Sequence, residues 1–259
     1  MSGAKDETEI DRKSTGAEAD GDSLAAALEL LWSERPAPKR GPKPALTLET
    51  IARAGMGLAD ADGLAAVTMQ NVAAALGYTK MALYRYVPGK VELVALMTDI
   101  GFGAPPALTP GAEGWRPSLE LWARRLFERF VAHPWALEAT VGIRPLGPNE
   151  VAWLEQAVQA LAGTGLPGAE KFDVAATLAG HVRATAQQSV GGDGKPEQAF
   201  HATVGLILDR HQDRYPALSA AFTEVAAHGG QDQALEFGLG RILDGVDLHI
   251  AATRKRPRR

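Results

Sequence analysis

Residues 47–97 read TLETIARAGMGLADADGLAAVTMQNVAAALGYTKMALYRYVPGKVELVALM, and this stretch decides the fold of the N-terminal part of the chain. Thr68 and Thr79 each precede a short apolar segment, where a hydroxyl can accept from the free amides of a helical first turn. Gly77 stands between the two segments and lacks the Cβ that would penalise a left-handed turn. The pattern therefore predicts a helix-turn-helix.

Working outward, a first helix from Thr47 is predicted to bury Ile51, Ala54, Leu58 and Ala59 and to end at Gly63. The second predicted helix is MQNVAAAL (69–76). The third is KMALYRYV (80–87), with Leu83 and Val87 on its buried side. That spacing leaves Lys80, Met81, Tyr84 and Arg85 facing outward, and a fourth helix follows from Lys90.

Charge is unevenly distributed along the chain, although its formal net charge is only −4. Residues 35–90 hold eight Lys/Arg and three Asp/Glu, a net +5, whereas residues 91–253 hold eleven and nineteen, a net −8. A small basic segment before a larger acidic one indicates that a polyanion-binding function is separate from the rest. Chance clumping of charge is the alternative.

The run ALYRYVPGKVELVALM resembles the signature that follows the recognition helix in regulators of the tetracycline-repressor (TetR) family. The matching residues are Thr68, Ala73, Leu76, Gly77, Leu83, Tyr84, Tyr86, Lys90 and Leu93. The resemblance implies an all-α chain, with an N-terminal three-helix helix-turn-helix DNA-binding domain and a larger helical domain for ligand binding and dimerisation. It also implies a repressor that a small-molecule effector releases from its operator.

By this resemblance, Lys80, Met81 and Arg85 would face bases, while Thr68, Tyr84, Tyr86 and Lys90 would contact phosphates. Arg85 can donate two hydrogen bonds to guanine, and Met81 or Ala82 can touch a thymine methyl group. The DNA-binding set also includes the cap Thr79 and Gln70, a neutral amide near the point where many family members place a basic residue. The alternative is that Tyr84 and Tyr86 are core residues of a helical bundle.

The N-terminal region before this domain is predicted in two parts. Residues 1–22 are polar and are expected to be disordered. Residues 23–45 form a short helix from Ser23 and then a Pro-rich basic arm, which can reach a minor groove or serve as a spacer. The basic residues of the arm are Lys39, Arg40 and Lys43.

The remaining chain divides into the helix-turn-helix domain (46–98), an effector-binding and dimerisation domain (99–253) and a basic tail (254–259). The apolar stripe of the last helix resembles the final dimer helix of the family, and implies a homodimer through residues 172–190 and 233–252. An effector pocket between helices is expected, with aromatic lining and few polar groups. Its candidates are Trp122, Phe130, His133, Trp135, Trp153, His181, Arg183 and Gln187.

Several function classes find no support in the sequence. The absence of cysteine excludes disulfides and thiol nucleophiles. Enzyme signatures such as G-x-S-x-G, H-E-x-x-H and the phosphate-binding G-x-x-x-x-G-K-[ST] are missing. Neither a metal nor a cofactor is predicted, and without a signal peptide or an apolar run of about 18 residues a cytoplasmic location is expected. A DNA-binding regulator without an effector and an all-helical enzyme remain the alternatives.

Overall fold

The computed structural model describes residues 24–33, 46–107, 114–190, 196–229 and 233–255. Within these ranges the regular structure is entirely helical, as the sequence predicts, and twelve α-helices follow one another. Their bounds are 24–32 (α1), Leu48–Asp62 (α2), Met69–Leu76 (α3), Lys80–Tyr84 (α4), Lys90–Phe102 (α5), Trp115–Ala132 (α6), Ala136–Ala139 (α7), Pro148–Ala160 (α8), Gly168–Ser189 (α9), Pro196–His211 (α10), Pro216–His228 (α11) and Ala234–Lys255 (α12). The predictions for the tail 1–22, for Ser23, for the arm with Lys39, Arg40 and Lys43, and for the basic run after Lys255 lie outside the described residues.

The helices group into two compact units. The first comprises the chain up to Pro105 together with His133–Leu154, and the second comprises Pro106–Ala132 together with the chain from Glu155 onward. Residues 133–154, which include α7 and the start of α8, therefore pack with the N-terminal helices.

The core of the first unit is built around α2 and α5. The α2 helix begins at a capping box, in which Thr47 and Thr50 exchange side-chain and backbone hydrogen bonds. Its buried face comprises Ile51, Ala52, Gly55, Met56 and Ala59. The predicted face was wrong in part, because Ala54 and Leu58 are only half-buried. Gly55 explains the rotation: a Cβ there would lie 2.7 Å from Met97 Sδ, so the close approach to α5 fixes which side of α2 faces inward.

Residues 133–135 are tied to the end of α2 through one carboxylate. His133 Nδ1 and Trp135 Nε1 both donate to Asp60 Oδ1, at 2.9 and 2.7 Å. Trp135 is 4% exposed, so its indole N–H needs an internal acceptor. Asp60 therefore fixes the segment before α7 to the first helix of the helix-turn-helix domain.

Asp99, near the end of α5, holds the N-terminus of α8 in the same unit. Its Oδ1 accepts from the backbone N–H groups of Asn149 and Glu150 at 2.8 and 3.2 Å, and its Oδ2 accepts from Asn149 Nδ2 at 3.0 Å. These bonds satisfy amides that the first turn of α8 leaves free, and the carboxylate lies at the positive end of the helix dipole. Gly147 is required there, since a Cβ would lie 2.2 Å from Asp99 Oδ1.

The protonation of Asp99 gives a testable dependence on pH. Burial raises the pKa of the Asp99 carboxyl above its ordinary 3.8, and this effect outweighs the hydrogen bonds from Glu150 and Asn149 that lower it. The folded state therefore keeps the proton on Asp99 to a higher pH than the unfolded chain does. The contribution of this protonation to the free energy of unfolding is fully present below pH 3.8 and is lost as pH rises through the raised pKa. Asp99→Asn, which stays neutral, should gain stability relative to the wild type as pH rises from below 3.8 to neutral. Urea unfolding of both proteins across this range measures the difference, and a difference that is independent of pH would contradict the expectation.

The second unit packs α6, α9 and α12 around a core that includes Leu119, Trp122, Leu178, Leu239 and Leu243. Two ion pairs join α6 to α12 at the surface: Arg124 binds both carboxylate oxygens of Glu236 at 2.8 Å, and Arg116 lies 2.8 Å from Asp244. The arginines lower the pKa values of both carboxyls. These contacts orient the last helix, α12, on the unit.

Candidate nucleic-acid interface

Threonine caps position both helices of the predicted helix-turn-helix. Thr68 Oγ1 accepts from Asn71 N at 3.1 Å at the start of α3, and Thr79 Oγ1 accepts from Ala82 N at 3.3 Å at the start of α4. Both predicted caps are thus confirmed. Because each cap fixes where its helix begins, it also fixes which residues of that helix face outward.

The turn between α3 and α4 depends on the backbone of Gly77. Its φ of 73° and ψ of 25° are left-handed, and Tyr78 N donates to Ala73 O at 2.9 Å to close the end of α3. A Cβ at Gly77 would meet nothing within 4 Å, so glycine is favoured here by the dihedral angle and not by lack of space. Ala73, at 2% exposure, is small where the neighbouring helix packs.

The α4 helix has one fully buried side. Leu83 and Val87 are both 0% exposed, as predicted. The helix itself is shorter than predicted and ends at Tyr84, after which the backbone N–H groups of Tyr86 and Val87 both donate to Leu83 O, at 2.9 and 3.0 Å. Pro88 accounts for the early end, because the residue before a proline is disfavoured in the α conformation.

The opposite side of α4 is open to solvent. Met81 is 72% exposed, Tyr84 is 38% exposed and Tyr86 is 41% exposed. Lys80 Nζ lies 5.4 Å from the centroid of the Tyr84 ring, and Arg85 is exposed beside it. A large apolar side chain exposed between two cations has no packing role, which favours a binding surface over the alternative that both tyrosines are core residues.

The other predicted DNA-binding residues surround α4. Thr68 and Gln70 are exposed at the start of α3, Ala82 is half-buried, and Lys90 is exposed at the start of α5, with Nζ 3.4 Å from Leu64 O. Sequence reasoning did not include Tyr78, which is 39% exposed directly after the Gly77 turn. An aromatic residue inside a tight interhelical turn was the signal that could have found it.

The predicted effector residues fall in both units. In the second unit, Trp122 and Phe130 are buried, and the guanidinium of Arg183 lies 5.9 Å from the Phe130 ring centroid. His181 Nε2 donates to Leu235 O at 3.1 Å, and Gln187 is exposed. Gly238 permits this arrangement, since a Cβ there would lie 2.2 Å from the His181 ring.

In the first unit, three predicted effector residues already have hydrogen-bond partners. His133 and Trp135 donate to Asp60, and Trp153 Nε1 donates to Gly103 O at 3.0 Å. Their assignment to an effector site stays a prediction. Over the residues that the structure describes, no group of three His, Asp or Glu side chains is arranged to hold a metal ion. In the same ranges no helix has the length and apolar character of a membrane span.

Comparison with known proteins agrees with this architecture. Residues 45–97 match the model of the bacterial regulatory proteins of the tetR family, and residues 105–250 match the tetracyclin repressor-like C-terminal domain. The transcriptional repressor DrrR1 of Streptomyces coeruleorubidus is 34% identical over 252 residues, which cover 93% of this chain and 92% of that protein.

Solved structures show the same fold. Apo ActR of Streptomyces coelicolor superposes with a TM-score of 0.70 at 23% identity, over 82% of this chain and 99% of ActR. ActR in complex with actinorhodin gives a TM-score of 0.64 at 26% identity, over 80% and 98%. The family binds operator DNA and small molecules, forms dimers and consists of regulators, so an enzymatic role is excluded. With both domain models matched and a relative above 30% identity along nearly the whole chain, the protein belongs to the TetR family of DNA-binding transcriptional regulators.

Proposed function

We propose that the protein is a transcriptional repressor that reads its operator with α4 and leaves it when a small-molecule effector binds. The observation that supports this most directly is the two-sided character of α4. Leu83, and Val87 just past the end of the helix, are fully buried in the core, while Lys80 and Met81 on the helix and Arg85 at its C-cap are exposed. A short, firmly seated helix with its cationic side outward is the geometry that enters a major groove.

Two kinds of contact follow from this placement. We assign base reading to Lys80, Met81 and Arg85, because only groups that reach base edges carry sequence information. Phosphate contacts are assigned to residues around the helix, which position it without reading sequence. These are Thr68, Gln70, Thr79, Tyr84, Tyr86 and Lys90, with Ala82 as an apolar contact and Lys39, Arg40 and Lys43 as contacts from the arm.

Lys90→Ala tests the phosphate assignment. A lost phosphate contact should weaken binding to all DNA sequences alike, and should lower the slope of log affinity against log salt by about one unit. Titration of operator and non-operator duplexes at several salt concentrations measures both effects. A matched control is Arg53→Ala, which removes an exposed cation of α2 that is ion-paired with Glu49. An unchanged salt slope in Lys90→Ala would remove Lys90 from the interface.

We further infer that α9 and α12 form the dimer interface, within residues 172–190 and 233–252. The two helices pack together in the second unit and leave a groove of about 540 Å³ between them. Three large apolar side chains along them are exposed: Phe172 (52%), Phe237 (67%) and Leu248 (73%). A second copy related by a two-fold axis would cover this surface and place two α4 helices for two operator half-sites. Sedimentation of Phe237→Asp against the wild type tests this, with dissociation as the expected result.

We propose that the effector site lies in the second unit, beside Trp122 and Phe130. The Arg183 guanidinium over the Phe130 ring supplies a cation and an aromatic face, which suits a planar ligand with an acidic group. His181 and Gln187, two residues before and four residues after Arg183 on α9, are the further polar candidates. ActR, a TetR family protein, has been solved in complex with actinorhodin, which supports a small-molecule ligand here.

The repressor would leave its operator if the effector binds more tightly to a dimer conformation in which the two α4 helices are wrongly spaced for the half-sites. Induction then needs only this difference in effector affinity between the two conformations. A thermal-stabilisation screen of aromatic compounds, followed by DNA titration with each stabilising compound, tests the effector proposal. The expected compound raises Tm in the wild type, does so less in Phe130→Ala, and weakens operator binding. If the compounds that stabilise the protein leave its operator affinity unchanged, the proposal that an effector releases it from the operator is wrong.

A further inference from the structure

A cleft of about 290 Å³ lies wholly within the first unit, apart from the effector site proposed above. It is bounded by α5, by the end of α7 and by the segment that follows α7. The lining residues are Lys90, Val91, Val94, Ala95, Thr98, Ala139, Arg144 and Pro145. Its volume is close to the lower limit for small-molecule sites in proteins, about 300 Å³.

The cleft follows one stripe of α5. Lys90, Val94 and Thr98 are spaced four residues apart, so the stripe runs about 12 Å along the helix. The floor offers few polar groups, because Thr98 Oγ1 already donates to Val94 O at 2.8 Å. The walls are therefore apolar between the two cationic residues, Lys90 and Arg144.

The two cations differ in their surroundings. Arg144 is held by Glu150, with Nη1 donating to Oε1 at 2.9 Å and Nη2 to Oε2. Lys90, in contrast, makes no ion pair with any residue that the structure describes, and its ammonium contacts only a carbonyl oxygen at 3.4 Å. Lys90 is also the first residue of α5, and the buried carboxylate of Glu92 lies in the same first turn. The cleft is thus apolar along its length, with the Lys90 ammonium at the α5 N-terminal end.

We propose that this cleft binds a small amphipathic anion, with an apolar ring system along α5 and a carboxylate or sulfonate at Lys90. The lining supplies burial for the rings, and Lys90 supplies the charge complement for the acid. Such a ligand would also compete with DNA phosphate for Lys90 and so lower DNA affinity. This second step rests on the proposed function, whereas binding itself does not.

Calorimetric titration of the full-length protein with 8-anilinonaphthalene-1-sulfonate and with its neutral analogue N-phenyl-1-naphthylamine tests the site. Ala139→Phe fills the cleft and Val91→Glu, on an exposed position, places a carboxylate in it. Each variant should lose one bound sulfonate per chain, or bind it at least about tenfold more weakly, with helicity and Tm retained. Leu206→Glu, at an exposed position of α10 in the second unit, is the matched control and should keep this site. Unchanged sulfonate binding in both cleft variants would overturn the proposal.

Two readouts separate the charge from the apolar body. Lys90→Gln should bind the sulfonate and the neutral analogue with nearly equal affinity, and a retained preference for the sulfonate would overturn the role of Lys90. In the wild type the sulfonate should weaken DNA binding, and in Ala139→Phe it should not. A sulfonate that fills the cleft without affecting DNA affinity would overturn the competition step. If the wild-type protein bound no DNA even before the sulfonate was added, that result would instead contradict the proposed function.

Discussion

Asp99→Ala should destabilise the protein by about 3 kcal/mol, which lowers Tm by about 6–12 °C in a chain of this size. The carboxylate is 5% exposed and accepts from two backbone amides and one side-chain amide at the start of α8. Alanine would leave the backbone amides of Asn149 and Glu150 without this acceptor in a site that water reaches poorly, while Asn149 Nδ2 would keep its 3.1 Å bond to the backbone carbonyl of residue 99. Leaving buried donors unsatisfied is among the largest effects that a single substitution has on stability.

Thermal and urea unfolding of the full chain measure this effect. Asp62→Ala is the matched control, because it removes an exposed carboxylate at the end of α2 and should change stability by no more than about 0.5 kcal/mol. Gly147→Ala should resemble Asp99→Ala, since its Cβ would occupy the position of the Asp99 carboxylate. If Asp99→Ala unfolds like the Asp62→Ala control, the anchor between α5 and α8 does not contribute as described.

Arg85→Ala should relax the sequence preference of the protein at one base pair of each half-site. The lost discrimination is about 1–3 kcal/mol, roughly 5- to 150-fold, because a bidentate contact between arginine and guanine carries specificity as well as affinity. Arg85 is exposed directly after α4, and Leu83 of that helix is fully buried. The truncation should therefore leave the fold of the helix-turn-helix intact.

Selection from a library of randomised duplexes with wild type and Arg85→Ala measures the preference position by position. Lys90→Ala serves as the contrast, since a phosphate contact should weaken binding without changing the selected sequence. An unchanged preference in Arg85→Ala would exclude Arg85 from the base-reading residues.

Local sequence signals predicted the helix-turn-helix well. The caps at Thr68 and Thr79, the left-handed Gly77 and the buried pair Leu83 and Val87 all depend on interactions within a few residues, so they can be recognised in the sequence. The early end of α4 has a local cause as well, since Pro88 disfavours the α conformation in the residue before it.

Long-range contacts could not be predicted in the same way. Asp60 accepts hydrogen bonds from two residues that lie 73 and 75 positions later in the chain. Nothing in the sequence near Asp60 indicates these contacts. The same holds for Asp99, whose partners are 50 and 51 positions away, and for the rotation of α2 that Gly55 and Met97 impose. The predicted domain boundaries and effector residues stay predictions, and His133 and Trp135 show why: an aromatic or histidine that looks available in the sequence can already serve a tertiary contact.

We propose that α4 presents its exposed side to duplex DNA for sequence-selective reading. The most direct test incubates the full-length purified protein with fragmented genomic DNA, with and without candidate inducers, and maps the retained fragments by footprinting. We expect protected sites with two-fold symmetry, whose half-site centres are about 34 Å apart or a multiple of that distance. Retention that shows no sequence preference under either condition would contradict it.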